Sequence, residues 1–196
     1  MDNFYALIAR MKNIGRWSLM RSVTPENVQE HSHMVAVLAH ALGLIRREIF
    51  HQDCDANALA AAALYHDAPE ILTGDLPTPI KYHSRSVKAA YDEVEAVAAE
   101  KLLSALPEAL RPAYRALLTV TAPERKEEYA LVKAADTLSA YVKCVEERRA
   151  GSREFLSAEA ASRKKLEAMA LPEVDYFLEN FMPGFEKNLD ELGTLE

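Results

Sequence analysis

The chain has 196 residues, of which 49% are hydrophobic, so it is long enough for one domain with a substantial core and too apolar to be disordered. Its formal net charge of −7 disfavours a nucleic acid polymer as partner, because proteins that bind such polymers usually display a basic field. The two cysteines, Cys54 and Cys144, form no CxxC pattern, which disfavours a disulfide framework and a cysteine zinc site.

Helical periodicity dominates the chain, and abundant alanine with only 6 glycines favours helix over sheet. Thr24-Pro25-Glu26 is typical of a helix start with Thr24 as N-cap, and Pro69 is expected to bend or end its helix. No segment is typical of a strand, so we predict an all-α fold with a single domain over residues 1–196. The predicted helices are approximately Asp2–Asn13, Thr24–Ile49, Asp53 or Asp55 to Leu72, Ser84 or Ser86 to Leu106, Glu108–Thr119, Pro123–Ala150, Arg153–Ala170 and Glu173–Leu192, the last broken at Pro183-Gly184.

Neither a signal peptide nor a membrane span is predicted. The first 17 residues lack the apolar region of a signal peptide. The most apolar stretch, Met34–Ile45, contains His40 and is too short to cross a bilayer. We therefore expect a cytoplasmic protein with no membrane partner.

His31 begins the apolar stripe of the second predicted helix. It is followed at helical spacing by Val35, Leu38, Leu42 and Ile45. His33 lies roughly 200° further around the helix, on a different face. The imidazole of His31 is therefore predicted to point into the core.

A second polar group lies near the end of the third predicted helix. His66 shares a face with Leu59, Asp67 lies about 100° away, and Glu70 lies beside both polar residues. Asp136 stands within the helical segment LVKAADTLSAYV, where burying an acid is costly unless a positive group meets it. Each residue alone has an ordinary structural explanation. Together, two imidazoles and two carboxylates on three helices suit a divalent metal.

Five segments resemble the bacterial HD-domain 5'-deoxynucleotidases: GRWSLMR, ENVQEHS, YHDAPEILTGDLPTPIKY, LVKAADTLSAYVKCVEE and VDYFLENFMPGFEKNLDE. The likeness runs from about Phe4 to Glu191 and implies an HD-type helical fold with a metal site between helices. Pro69 departs from the pattern, because a small polar residue such as serine is expected there, beside Glu70.

The resemblance implies an enzyme that removes the phosphate from deoxyribonucleoside 5'-monophosphates with one divalent transition metal, cobalt or manganese. Glu70 corresponds to the catalytic carboxylate, which orients the attacking water or moves a proton. A homodimer is also implied. The implied metal ligands are His31, His66, Asp67 and Asp136. The implied substrate-binding residues are Arg16, Trp17, His31, Asp75, Leu76, Pro77 and Thr78.

Two other functions stay open at this point. Another HD-type phosphohydrolase, acting on a triphosphate, a cyclic nucleotide or an alarmone, is expected to need more basic residues, and the region Leu72–Tyr82 offers only Lys81. A helical nucleotide-binding or scaffold protein without catalysis is disfavoured by the complete set of candidate ligands together with Glu70.

Overall fold

The structure, a computed structural model, describes residues 2–81, 83–120, 122, 125–126 and 129–193. Those residues form α-helices and short turns without a strand, which confirms the all-α fold class. None of their helices is long and apolar enough to cross a bilayer. The helices are α1 (Phe4–Ile8), α2 (Val28–Leu44), α3 (Ala56–Tyr65), α4 (Glu70–Thr73), α5 (Thr78–Lys81), α6 (Arg85–Ser104), α7 (Arg111–Leu118), α8 (Ala130–Arg149), α9 (Leu156–Ala168) and α10 (Pro172–Asn180). A π-helical turn, Ile45–Ile49, extends α2, and 3-10 turns cover Met11–Asn13, Glu108–Leu110, Met182–Glu186 and Asp190–Leu192.

The second helix begins at Val28, so the predicted start at Thr24 is wrong. The Asn27 side chain accepts from the Glu30 N–H at 3.0 Å, and the Glu30 carboxylate accepts from the Asn27 N–H at 3.1 Å. This capping box satisfies two backbone donors at once. The Thr24 carbonyl would have to accept the first bond of a helix that starts there, but it accepts from Lys143, and the Val28 N–H donates to the Ile14 carbonyl at 2.9 Å.

The helix before Pro69 ends early, which confirms the effect expected of the proline. α3 stops at Tyr65 and α4 begins at Glu70. Proline has no N–H to donate to the carbonyl of Tyr65, four residues earlier, and its ring crowds that carbonyl. His66 and Asp67 therefore lie in a tight turn between two helices, and not inside one continuous helix to Leu72.

Three other predicted ends need correction. The first predicted helix is interrupted at Ala9 and Arg10, where α1 gives way to a 3-10 turn. The start predicted near Pro123 lies outside the described residues, and α8 begins at Ala130. The last predicted helix already stops at Asn180 and continues as 3-10 turns.

Two elements flank the predicted TGDLPTP loop. The loop is shorter than expected, because α5 begins at Thr78. Ser84 caps α6 as predicted, since its hydroxyl accepts from the Val87 N–H at 3.2 Å.

The core forms where α2 packs against α3 and α8. Leu38 and Leu42 are at most 2% exposed, which confirms the apolar stripe that follows His31. α2 and α3 approach closely at Gly43, where a Cβ atom would lie 2.8 Å from the Cβ of Ala56. This packing brings the start of α2, the end of α3 and the middle of α8 to one place.

Candidate active site

The side chains of His31, His66 and Asp67 converge where these three helices meet. One ligand atom from each residue lies within 4.8 Å of the others. His31 is 0% exposed and His66 is 4% exposed. Asp136, from the middle of α8, places a carboxylate oxygen 3.2 Å from His31 Nε2. Four residues from three widely separated stretches of the chain therefore lie side by side.

The early end of α3 fixes the ring of His66. Carbonyl groups in the last turn of a helix lack intrahelical partners, and that of Ala63 accepts from His66 Nδ1 at 2.8 Å. A carbonyl only accepts, so Nδ1 carries the hydrogen and the neutral ring has a bare lone pair at Nε2. Nε2 is buried without a hydrogen-bond partner among the described residues, and it lies 3.1 Å from Asp67 Oδ2. Two acceptors at that separation repel unless a cation or a proton lies between them.

The Nε2 atom of His31 is directed at the carboxylates of Asp67 and Asp136. Its Nδ1 lies 3.1 Å from the Ser139 hydroxyl, and its Nε2 lies 3.2 Å from Asp136 Oδ1 and 3.6 Å from Asp67 Oδ2. Burial, reinforced by the Arg16 charge, lowers the pKa of His31, which favours the neutral ring. With Nδ1–H donated to Ser139, Nε2 directs its lone pair towards both acids.

The electrostatics of this cluster favour a positive charge at its centre. Burial lowers the pKa of His66, but the Asp67 carboxylate more than offsets this and raises it. Burial tends to raise the pKa of Asp67 and Asp136. The imidazolium forms of the two histidines outweigh burial and hold the pKa of Asp67 well below its usual range. Lys133, 2.6 Å away, likewise holds the pKa of Asp136 well below its usual range. A divalent metal ion supplies that positive charge in place of the ring protons, because ionised carboxylates and deprotonated imidazole nitrogens form its mixed N/O donor set, so these residues fit a metal ion.

Glu70 begins α4 and is 5% exposed. Its Oε2 atom is buried without a hydrogen-bond partner in the described part of the chain. Burial, together with the carboxylates of Asp67 and Asp75, raises the pKa of Glu70 to about 10. Although Pro69 precedes it, Glu70 is buried and lies within the electrostatic reach of the cluster. Its Oε2 is suited to hold a water molecule or a proton.

Arg16 and Trp17 lie in the irregular segment before α2. Arg16 Nη1 is 3.5 Å from Asp67 Oδ2, so the guanidinium group faces the cluster. Arg16 Nε and Trp17 Nε1 both donate to Oε2 of Glu26, at 3.1 and 2.7 Å. The indole N–H of Trp17, one of the implied substrate-binding residues, is thus bonded to Glu26, and the ring packs edge-on against Phe155 with centroids 5.2 Å apart.

A buried ion pair anchors the following residues to α8. Glu147 accepts from the backbone N–H groups of Val23 and Thr24, at 2.8 and 3.0 Å, and from Lys143 at 2.6 Å. Lys143 also donates to the Thr24 carbonyl. Burial tends to raise the pKa of Glu147, but these donors outweigh burial and lower it. The segment between Trp17 and α2 is therefore fixed to the helix that carries Asp136.

The predicted substrate loop comprises Asp75, Leu76, Pro77 and Thr78. Its first three residues are half-buried and the last is exposed. Both ends are tied to α6, because the Tyr91 hydroxyl donates to the Gly74 carbonyl at 3.1 Å and Lys81 pairs with Glu95 at 3.0 Å. Burial raises the pKa of Asp75, whereas the charge of Arg16 acts in the opposite direction.

Sequence reasoning missed three contacts of this site. Ser139 and Lys133 each lie three residues from Asp136 on α8, so helical spacing was a usable signal for both. Glu26 was interpreted as a first-turn acid of the second helix. It lies ten residues from Arg16 through irregular chain, and no periodicity predicts their contact.

Comparisons with known proteins find relatives over nearly the whole chain. The sequence signature of the family described as 5'-deoxynucleotidase YfbR-like matches residues 3–185. A 5'-deoxynucleotidase from Yersinia pestis is 47% identical over 192 residues, which cover 98% of this chain and 97% of the relative.

Solved structures share the fold. An HD-domain phosphohydrolase from Listeria innocua has a TM-score of 0.79 and 24% identity, over 98% of this chain and 95% of that chain. An HD phosphohydrolase of cyanophage S-2L, in a structure bound to dA and one catalytic Zn2+ ion, has a TM-score of 0.64 and 22% identity, over 93% of this chain and 96% of that chain. At these identities the likeness establishes the fold, which confirms the predicted HD-type architecture.

Proposed function

Since the chain belongs to the 5'-deoxynucleotidase YfbR-like family and hydrolyses deoxyribonucleoside 5'-monophosphates, we propose that the reaction takes place at the cluster of His31, His66 and Asp67. The observation that carries this proposal is the bare, buried Nε2 of His66, which faces Asp67 Oδ2 at 3.1 Å. A cation between these atoms relieves their repulsion. Hydrolysis breaks the bond between phosphorus and the 5'-oxygen and releases a deoxynucleoside and phosphate.

The proposed cofactor is a single divalent transition metal, for which cobalt and manganese are our candidates. Mixed imidazole and carboxylate donors accept several such ions. When bound, the metal supplies a Lewis acid that polarises the phosphoryl group and lowers the pKa of water. The proposed ligands are His31, His66, Asp67 and Asp136. His31 comes from α2, His66 and Asp67 from the turn that follows α3, and Asp136 from α8. The site therefore depends on how these elements pack.

Arg16 is the residue that we propose binds the phosphate of the substrate. Its side chain is 12% exposed and faces the cluster through Asp67. Burial tends to lower the pKa of Arg16, but Asp67 and Glu26 outweigh burial and raise it, so the group stays charged. Besides the Nε–H bonded to Glu26 and the Nη1 directed at Asp67, the guanidinium group has further N–H groups to offer phosphate oxygens, which it matches with paired donors. Trp17 supports this group by packing on Phe155 and through its bond to Glu26.

Glu70 is the proposed catalytic carboxylate. Its Oε2 is buried, has no hydrogen-bond partner among the residues that the structure describes, and lies within reach of the field of Asp67. A carboxylate in that position orients the attacking water and takes up or returns its proton. This assignment depends on the location of Glu70 and not on its titration.

The loop from Asp75 to Thr78 is the proposed sugar and phosphate contact. Asp75 accepts a hydrogen bond from a deoxyribose hydroxyl, Thr78 donates to phosphate, and Leu76 with Pro77 forms an apolar, stiff wall beside His31 and the bound substrate. We infer that the preference for 2'-deoxy substrates is steric, because a tight wall excludes an additional hydroxyl.

We also propose that the enzyme is a cytoplasmic homodimer. The resemblance to the bacterial 5'-deoxynucleotidases supports both statements, and Val94 and Val97, each more than half exposed on α6, offer apolar area for a subunit contact. A molar mass in solution of twice the 21.9 kDa of one chain is the expected result. A monomer at working concentrations would contradict the dimer.

The test of the proposed function is phosphate release from a panel of deoxyribo- and ribonucleoside 5'-monophosphates. Cobalt, manganese, zinc, magnesium and a chelator are compared. We expect release from the deoxy substrates only, and loss of release with the chelator. Release that persists after complete metal removal would overturn the metal-dependent mechanism.

Two histidine variants locate the reaction. His66→Ala is expected to lose bound metal and activity together, since it removes the fixed Nε2 donor. His33→Ala is the matched control, because that histidine is exposed on the other face of α2, only two residues from His31. Retention of metal and activity by His66→Ala would move the reaction away from this cluster.

A further inference from the structure

Glu26 holds both members of the Arg16-Trp17 pair. Its Oε2 accepts from Arg16 Nε at 3.1 Å and from Trp17 Nε1 at 2.7 Å. The backbone is joined as well, because the Arg16 N–H donates to the Glu26 carbonyl at 2.9 Å. One residue therefore sets the position of the Arg16 main chain and the direction of its side chain.

The bond to Nε restricts the guanidinium plane. Arg16 and Glu26 side chains are only 12% and 14% exposed, so their charge-assisted bond is poorly screened by water. The same guanidinium lies 3.5 Å from Asp67 through Nη1. Without Glu26, the guanidinium group loses the partner that holds its Nε–H away from Asp67 and can turn a second N–H towards that carboxylate, which would occupy donors needed for phosphate. Glu26 thus keeps donors of Arg16 free.

Trp17 adopts a backbone conformation that is rare for its type. Its φ is 58°, in the left-handed region, where a bulky side chain is strained. Two contacts hold it there: the indole N–H bond to Glu26 and the edge contact to the fully buried ring of Phe155. Strain that is maintained beside a reaction centre favours a positioning role for the segment.

Glu26 is itself fixed in place. Residues Val23 and Thr24, just before it, are bound through their N–H groups to the buried Glu147 of α8. Just after it, Asn27 caps α2 through the capping box. Glu26 therefore stands between two anchored points and is suited to hold another residue without moving itself.

From these contacts we propose that Glu26 is a positioning residue for substrate binding, which acts through Arg16 and has no contact with the reacting atoms. The inference rests on the proposed role of Arg16 as the phosphate ligand. Glu26 orients the guanidinium donors towards the phosphate of the nucleotide and limits their pairing with Asp67. Its contribution is therefore to affinity for the phosphorylated substrate.

The test is a double-mutant cycle measured on the metal-loaded, full-length enzyme with a deoxyribonucleoside 5'-monophosphate. Glu26→Ala is expected to raise KM by about tenfold, with kcat within about twofold, because it removes orientation and not chemistry. Glu26→Gln retains one acceptor oxygen and is expected to raise KM by less. The double variant Arg16→Ala/Glu26→Ala should have the KM of Arg16→Ala alone, because Glu26 acts only through that side chain.

Controls separate this inference from the proposed function. Glu154→Ala removes the carboxylate that lies 3.8 Å from Arg21, a second arginine of the same irregular segment, and should leave KM unchanged. If Arg16→Ala leaves KM unchanged, the proposed phosphate role of Arg16 fails. If Arg16→Ala raises KM but neither Glu26 variant does, only the positioning role fails. Additive effects in the cycle, with a fall in kcat, would also overturn it. If Glu26→Ala does not fold, the same cycle with Glu26→Gln decides the question.

Discussion

At the scale of single residues, the two buried imidazoles differ in how firmly their lone pairs are set. The Nδ1 atom of His66 faces a carbonyl, which can only accept, so Nε2 is the ring nitrogen left for a metal ion. The Nδ1 atom of His31 faces the Ser139 hydroxyl, which can donate or accept. His66 is therefore the more strongly preorganised of the two candidate ligands, and Ser139 adjusts to the state of His31.

Glu70→Gln tests the role of the buried carboxylate at this scale. The amide has nearly the same shape but is a poor base, so turnover should fall by about 100-fold or more. Metal content and KM should change little, because Glu70 is not among the proposed ligands. Steady-state kinetics and metal analysis of the purified variant provide the measurement.

An exposed acid supplies the control for that substitution. Glu93→Gln makes the same chemical change on the outer face of α6 and should be silent. Full turnover by Glu70→Gln would remove Glu70 from the mechanism, whereas loss of metal from this variant would make Glu70 a ligand.

Elements differ in how well the sequence predicts them. The stripe from His31 through Leu42 was predictable because helical spacing alone places those residues on one face. Pro69 was informative because its missing N–H acts locally. The start of α2 was not predicted, because Thr24-Pro25-Glu26 and the box at Asn27 are both plausible starts. The choice between them depends on Lys143, a residue distant in sequence that binds the Thr24 carbonyl.

The residues of the candidate site also differ in how far the sequence predicts them. Helical facing identified His31, His66 and Glu70 as inward residues, and the family resemblance supplied Arg16 and Trp17. The bond from Trp17 to Glu26 connects two points of irregular chain, where no periodic pattern operates. Contacts of that kind are decided by tertiary packing and are read only from the structure.

The close approach of α2 and α3 gives a prediction at the scale of elements. In Gly43→Ala the new Cβ meets the Cβ and Cα of Ala56 at 2.8 and 2.9 Å, so backbone must move. Overpacking outweighs the better helix propensity of alanine, and we expect a net loss of about 1–2 kcal/mol in the free energy of unfolding. Denaturant unfolding measures this loss.

Gly184→Ala is the matched control for the helix contact. A Cβ at that position meets no atom of the described residues within 4 Å, so the variant should lose no stability. Equal stability of Gly43→Ala and the parent protein would mean that the two helices separate at little cost, contrary to the tight packing described above.

At the scale of the whole molecule, the net charge of −7 is a property of the surface, whereas the cluster of His31, His66 and Asp67 is a local feature of the interior. The acidic surface explains why a polyanion is a poor partner, whereas Arg16 and Lys133 provide local positive charge beside the cluster. A small phosphorylated substrate needs only that local charge. The overall charge therefore agrees with a nucleoside monophosphate as substrate and argues against a nucleic acid polymer.

Metal binding should also stabilise the whole fold, because the candidate ligands come from three separate helical regions. A ligand that binds only the folded state at about 100 times its Kd adds about 2.7 kcal/mol to the free energy of unfolding. For a chain of this size that corresponds to a rise of roughly 5–10 °C in Tm. Thermal unfolding of chelator-treated protein, with and without added cobalt, manganese or zinc, measures the shift. His33→Ala should keep the full shift and His66→Ala should lose most of it; equal shifts in both variants would place the stabilising metal elsewhere in the molecule.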